Sequence, residues 1–254
     1  MCLVLFAHDV CSRYPLILAA NRDEFHNRPT APMDFWPGTL AILAGRDLEQ
    51  GGTWFGLNKN GRFAALTNFR DPFSIQPDAP SRGEIIVDFL NSEQPCQTYF
   101  NRNLSKMMQY NGFNLLFGDA TGLFWFSNIR KKTGRVRPGI HGLSNKDLNT
   151  PWPKVFKGKN RLKQVIDDSV TTAALFNLLS DPVPAKDDNL PDTGVGLQWE
   201  RLLSAIFIQN HIYGTRSSTL LLRDRSGGTK VIERTYDHPE RADHFTDREF
   251  DIPG

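Results

Sequence analysis

The apolar residues of this chain come in short runs closed by polar residues. Leu3–Ala7, Leu16–Ala20 and Leu40–Ala44 are five residues each. A membrane-spanning helix needs ~20 apolar residues and a signal-peptide core ~7. Runs of this length therefore read as strands, and the chain is expected to be neither a membrane protein nor secreted. The first two runs do not alternate with polar residues, so they need cover on both faces. Helix signals fall between strand signals, in the order strands, helices, strands, helices, strands. That is not regular βαβ alternation, which argues against a parallel doubly wound sheet. The expectation is one α+β domain over residues 1–254, with two packed, mainly antiparallel sheets and outer helix layers.

Local signals refine this. Asn21-Arg22-Asp23-Glu24 is expected to stop the second run. Lys59-Asn60-Gly61 between Thr53–Leu57 and Phe63–Asn68 predicts a hairpin, because Asn-Gly tolerates the positive φ of a tight turn. A second hairpin is expected from Asn114–Phe117 and Leu123–Ser127, with extended chain over Arg135–Ser144. Ser81-x-x-Glu84 predicts a capping box at a helix start. Thr150 followed by Pro151 predicts another N-terminus. Further helices are expected over Gln97–Tyr110, Thr172–Leu179 and Leu197–Ile208, with a surface loop over Asp181–Gly196. The last strands are expected at Ser217–Arg223, Lys230–Thr235 and His244–Phe250.

Composition excludes several classes. The 254 residues carry 30 Lys plus Arg against 28 Asp plus Glu, a net charge of +2. No net field calls for nucleic acid or an anionic membrane as partner. Three cysteines, Cys2, Cys11 and Cys96, make no disulfide framework and fit a reducing cytoplasm. His8-Asp9 and Asp23-x-x-His26 lack metal-ligand spacing, so no metal is expected. His238 and His244 read as a solvated polar tail, and the Lys131–Arg137 basic turn as a hairpin tip.

The sharpest candidate is Cys2. Initiator methionine is normally removed when residue 2 is small, and a chain beginning at Cys2 would carry a thiol and a free amine on one residue. An unperturbed thiol titrates near ~8.5 and an α-amine near ~7.7–8.0, so the amine is a poised base beside its own nucleophile. If the first two apolar runs pair antiparallel, Asp23 falls near that terminus, where a carboxylate can hold the amine.

Several motifs together resemble the NRDE family, also called the transport and Golgi organization 2 family. They are Leu18-Ala19-Ala20 running into Asn21-Arg22-Asp23-Glu24, Gly51-Gly52-Thr53-Trp54, Ala64–Asn68, Tyr110–Leu115, Gly142–Asn145, Thr150-Pro151-Trp152 and Tyr213–Arg216. That family is similar to N-terminal nucleophile hydrolases of the penicillin V acylase and bile salt hydrolase branch. The resemblance implies a four-layer α-β-β-α sandwich with Cys2 as nucleophile and Asp23 as its carboxylate. It implies Asn58 and Asn145 at the oxyanion hole, converging on Cys2, and Arg216 as a late-chain arginine near the nucleophile. Asn21 and Arg22 are expected at the substrate. The branch's arginine position is Ala20 here, with Arg22 two residues later. Two functions follow. One is cleavage or transfer of an amide or thioester acyl group through Cys2, which requires no cofactor. The other is a carrier of haem, or of acyl-CoA or lipid, in the same cleft, with haem as transported ligand. Both call for a small amphipathic ligand or substrate.

Overall fold

The computed structural model describes residues 2–37, 41–237 and 241–254. Leu40 of the third apolar run and His238 lie outside them. Internal contacts group the chain into two units, Met1–Asn27 with Arg137–Gly254, and Arg28–Val136.

The first unit holds a six-stranded antiparallel sheet. Its strands are β1 (Cys2–His8), β2 (Leu16–Phe25), β10 (Gly139–Leu143), β11 (Tyr213–Arg223), β12 (Thr229–Tyr236) and β13 (Phe245–Ile252), in the order β10-β1-β2-β11-β12-β13. The first two apolar runs are thus adjacent interior strands, as expected, and both are buried throughout. One face carries Leu3, Leu5, Ala7, Ile17 and Ala19. It packs against α3 (Pro153–Asp168) and α4 (Thr172–Leu179) through Val155, Leu162, Leu175 and Leu179. Helix α5 (Leu197–Leu203) is shorter than expected and stops where Ala205–Ile208 turns into the core.

The NRDE stretch corrects one expectation. It does not end the second run: β2 continues to Phe25. Polar residues can stay in a buried strand when their side chains find partners, and Asn21 does. Its amide donates to Leu179 O (2.9 Å) and Ile206 O (2.8 Å), and its Oδ1 accepts from Ser218 (2.6 Å).

The second unit holds seven antiparallel strands in the order β3-β4-β5-β6-β7-β8-β9. They are β3 (Thr30–Phe35), β4 (Ile42–Asp47), β5 (Phe55–Asn58), β6 (Phe63–Asn68), β7 (Phe113–Asp119), β8 (Gly122–Ser127) and β9 (Lys132–Arg135). Helices α1 (Gly83–Asn91) and α2 (Cys96–Met107) cover it with an aromatic core of Phe89, Tyr99, Phe100, Phe113, Phe117 and Phe126. The Asn-Gly hairpin forms as expected, with Gly61 at φ 75°. The edge strand β3 has no strong sequence signal, because Pro32 removes a donor and the pairing is irregular between Ala31 and Asp34.

Two helix starts differ from expectation. The proposed capping box is not formed: α1 begins at Gly83, and Glu84 accepts from the Tyr110 hydroxyl instead. Gly83 is drawn inward, its carbonyl accepting from Thr53 N at 3.3 Å. Helix α3 begins two residues late, at Pro153 rather than Pro151, while the Thr150 hydroxyl donates to Asp147 O. Among the described residues no helix is long and apolar enough to cross a membrane. The α+β class with two antiparallel sheets is the one the sequence calls for.

Candidate active site

Cys2 opens β1 directly opposite Arg22 of β2. Residues opposite each other in an antiparallel pair point to the same face, so thiol and guanidinium share one side of the sheet. Alternation sends Asn21 and Asp23 to the other side, with Leu3, toward the helices. Burial pushes the Cys2 thiol up, and the Asp23 charge adds to that. The Arg22 charge and the Asp23 backbone N–H, which is aimed at the sulfur, work against it. Cys2 therefore rests as a thiol and needs a base to become a nucleophile.

Asp23 is buried, at 1 % exposure. Its Oδ1 accepts from Thr215 Oγ1 at 2.8 Å, and its carbonyl accepts from the Tyr213 hydroxyl at 2.9 Å. Thr215 Oγ1 in turn accepts from Ile208 N at 2.9 Å, which fixes the direction of its proton toward Asp23. Burial raises the Asp23 pKa; the Lys154 charge and the Thr215 hydrogen bond oppose that.

Asn145 is fully buried just beyond β10. Ser144 Oγ lies 3.2 Å from Cys2 O and 3.1 Å from Asn145 Oδ1, so one hydroxyl links the Cys2 strand to the amide. When that hydroxyl donates to Oδ1, the amide orientation is set with Nδ2 as donor. Arg216 is the extra residue of a β-bulge, since Thr215 pairs with Asp23 and Ser217 with Arg22. Its Nη1 donates to Phe25 O (3.0 Å) and His26 O (3.1 Å). Burial and the neighbouring Arg22 charge hold its guanidinium below the ordinary arginine value. The first unit thus brings together Cys2, Asn21, Arg22, Asp23, Asn145 and Arg216, on two faces of one sheet end.

Asn58 belongs to the second unit. Its backbone N–H donates to Arg62 O (2.9 Å) and its side-chain amide to Leu90 O (2.7 Å). Its Oδ1 accepts from Asn60 N (3.0 Å) and Arg62 N (3.1 Å), which closes the Asn-Gly hairpin.

Three residues of this site escape a reading of sequence motifs: Ser144, Thr215 and Lys154. The first two sit inside the matched motifs but carry common hydroxyls with no spacing signal. Lys154 did leave one, as a cation in the first turn of a helix, against the helix dipole.

The family model for transport and Golgi organisation 2 matches residues 1–238. The chain is 34% identical to the mouse transport and Golgi organization 2 homolog, over 92% of this chain and 93% of that one. It is likewise 34% identical to the human homolog, with the same shares covered. Among solved structures it resembles the C2A mutant of conjugated bile acid hydrolase from Clostridium perfringens. That match has TM-score 0.54 and 10% identity, over 99% of this chain and 92% of that chain. At that identity the likeness is one of fold, and it is the N-terminal nucleophile hydrolase fold that the sequence motifs imply. With the whole-length match to its relatives and the NRDE residues set into β2, the chain belongs to the transport and Golgi organisation 2 family.

Proposed function

We propose that the protein transfers an acyl group from an amide or thioester to Cys2 and then to water. The observation that carries this is the register at the end of the sheet. It holds Cys2 in an interior strand, opposite Arg22, with the Asp23 backbone N–H on its sulfur. A catalytic terminus must be held in this way rather than fray.

In this reading the active chain begins at Cys2. The thiol gives its proton to the Cys2 α-amine as sulfur attacks the carbonyl carbon. The oxyanion takes a hydrogen bond from Asn145. Collapse breaks the bond to the leaving amine or thiol, which takes the proton from the α-ammonium. The same amine then activates water to cleave the acyl-Cys2 thioester and release the acid. Arg22 and Arg216 favour substrates with an anionic group near the scissile bond.

The test is a panel of acyl amides and acyl thioesters offered to chain beginning at Cys2. An acyl adduct on Cys2 by intact mass, lost in Cys2→Ala and in chain retaining Met1, supports the reading. Turnover that survives Cys2→Ala overturns it.

A second reading, a carrier of an anionic amphipathic ligand such as acyl-CoA or haem, is favoured by the two neighbouring guanidiniums of Arg22 and Arg216. It expects binding that survives Cys2→Ala and falls in the double variant Arg22→Ala, Arg216→Ala.

A further inference from the structure

Helix α3 opens with Pro153 and Lys154. A cation there faces the positive end of the helix dipole, and burial removes its water. Lys154 bears both penalties, being only 2 % exposed. Lys154, Gly158 and Leu162 form the line of α3 that meets the sheet. A Cβ at Gly158 would stand 2.6 Å from Leu5 Cδ1, and Leu162 is fully buried.

Asp23 lies on that same face of the sheet, in step with Ala19 and Asn21. It too is buried, and the Lys154 charge reaches it. A buried ammonium and a buried carboxylate thus share the layer between α3 and the sheet. Other charged or titratable groups near the Asp23 end of this layer include Cys2 of β1, Arg22 and Glu24 of β2, and Tyr213 and Arg216 of β11.

We propose that Lys154 is a positioning residue of the Cys2 site: it balances the Asp23 carboxylate so that the Cys2 α-amine stays neutral and able to accept a proton. This rests on the reading of Cys2 as an N-terminal nucleophile. A lone buried carboxylate beside the amine would hold it as ammonium, and an ammonium cannot take the thiol proton. With Lys154 present, carboxylate and ammonium cancel, and amine and thiol are both left uncharged. Lys154 acts through Asp23.

The experiment follows the 15N resonance of the Cys2 amine against pH in chain beginning at Cys2 and labelled with [15N]cysteine. No substrate is needed, so the result is independent of whether acyl transfer is found. The wild-type midpoint is expected below the ordinary α-amine value of ~7.7–8.0. Lys154→Met is expected to raise it by about one unit, tenfold in proton affinity, and Lys154→Arg to leave it near wild type. Asp23→Asn is expected to lower it, and serves as the readout if Lys154→Met does not fold. A midpoint that is unmoved in folded Lys154→Met overturns the proposal, as does one unmoved in Asp23→Asn.

Discussion

Thr215 Oγ1 donates to Asp23 Oδ1 at 2.8 Å while accepting from Ile208 N at 2.9 Å, so a single hydroxyl both anchors a loop and favours the ionised carboxylate. Its removal has a defined sign. The bond lowers the Asp23 pKa. Thr215→Val therefore lets the carboxylate protonate at higher pH, which relieves the α-amine of that negative charge and moves the acid limb of acyl transfer down in pH. The unsatisfied Ile208 N–H costs about 1–3 kcal/mol of stability. Thr215→Ser restores both, and pH-rate profiles with urea melts report them.

Asn21 acts as a clasp between β2, β11 and the end of α4. Its amide satisfies the carbonyls of Leu179, which ends α4, and of Ile206, while Ser218 donates to it. Asn21→Ala takes this donor from the two buried carbonyls and is expected to cost ~2–4 kcal/mol, while Ser218 keeps the Tyr236 hydroxyl at 2.9 Å. Asn21→Asp, which cannot donate, is expected to do little better. Urea denaturation of each variant is the check.

His141 contributes pH dependence. Asn149 Oδ1 accepts from Lys159 (2.9 Å) and Gly142 N (3.1 Å), which leaves Asn149 Nδ2 to donate to His141 Nδ1 at 3.0 Å. The ring proton is then on Nε2, which donates to Arg137 O at 2.9 Å. Burial, with the Lys159 and His8 charges, lowers the His141 pKa. The folded state thus binds this proton less readily than the unfolded state. Its contribution is present above the unfolded value near ~6.5 and is lost as pH falls through the lower folded value. Melting temperature is expected to drop with pH below ~6.5, with a shallower slope in His141→Gln.

Gly52 tests the packing of α1. A Cβ there would stand 2.5 Å from the carbonyl carbon and 2.8 Å from the Cα of Gly83, where no side chain can move aside. Gly52→Ala is expected to destabilise the second unit by about 1–3 kcal/mol, seen as faster amide exchange in Gly83–Asn91.

Arg234 holds the edge strand β13. Its guanidinium is stacked 4.0 Å from the Phe176 ring centroid and 3.5 Å from that of Phe245, and it meets both Asp247 oxygens at 2.8 Å. Arg234→Lys keeps the charge but loses the planar fork. It is expected to cost ~1 kcal/mol and to speed exchange in Phe245–Ile252 selectively.

Much of this was legible in the residues. Leu3–Ala7 and Leu16–Ala20 announced doubly covered neighbouring strands, and Asn60-Gly61 announced its hairpin, because apolar periodicity and positive φ are local properties. Thr172–Leu179 is helical over the bounds its residues indicate, with Thr171 accepting from Ala174 N as its cap. The NRDE stretch misled as a strand end because its polarity is answered by Leu179, Ile206, Thr215 and Ser218, all more than 150 positions away. Ser81 failed as a cap because the Gly52–Gly83 approach set the helix start. The partnership of Lys154 with Asp23 needs two elements brought together and has no local signature beyond the misplaced charge.

The insertion of residues 28–136 between the two parts of the first unit also orders events at the ribosome. Strand β2 emerges early, but its neighbour β11 lies 192 residues further on at the Asp23–Thr215 pair. The apolar β1–β2 hairpin must therefore wait through most of synthesis, while the contiguous second unit has all its strands in hand. Nascent chains stalled before Tyr213 should present this hairpin to chaperones, so the strand bearing Cys2 is made first and secured last.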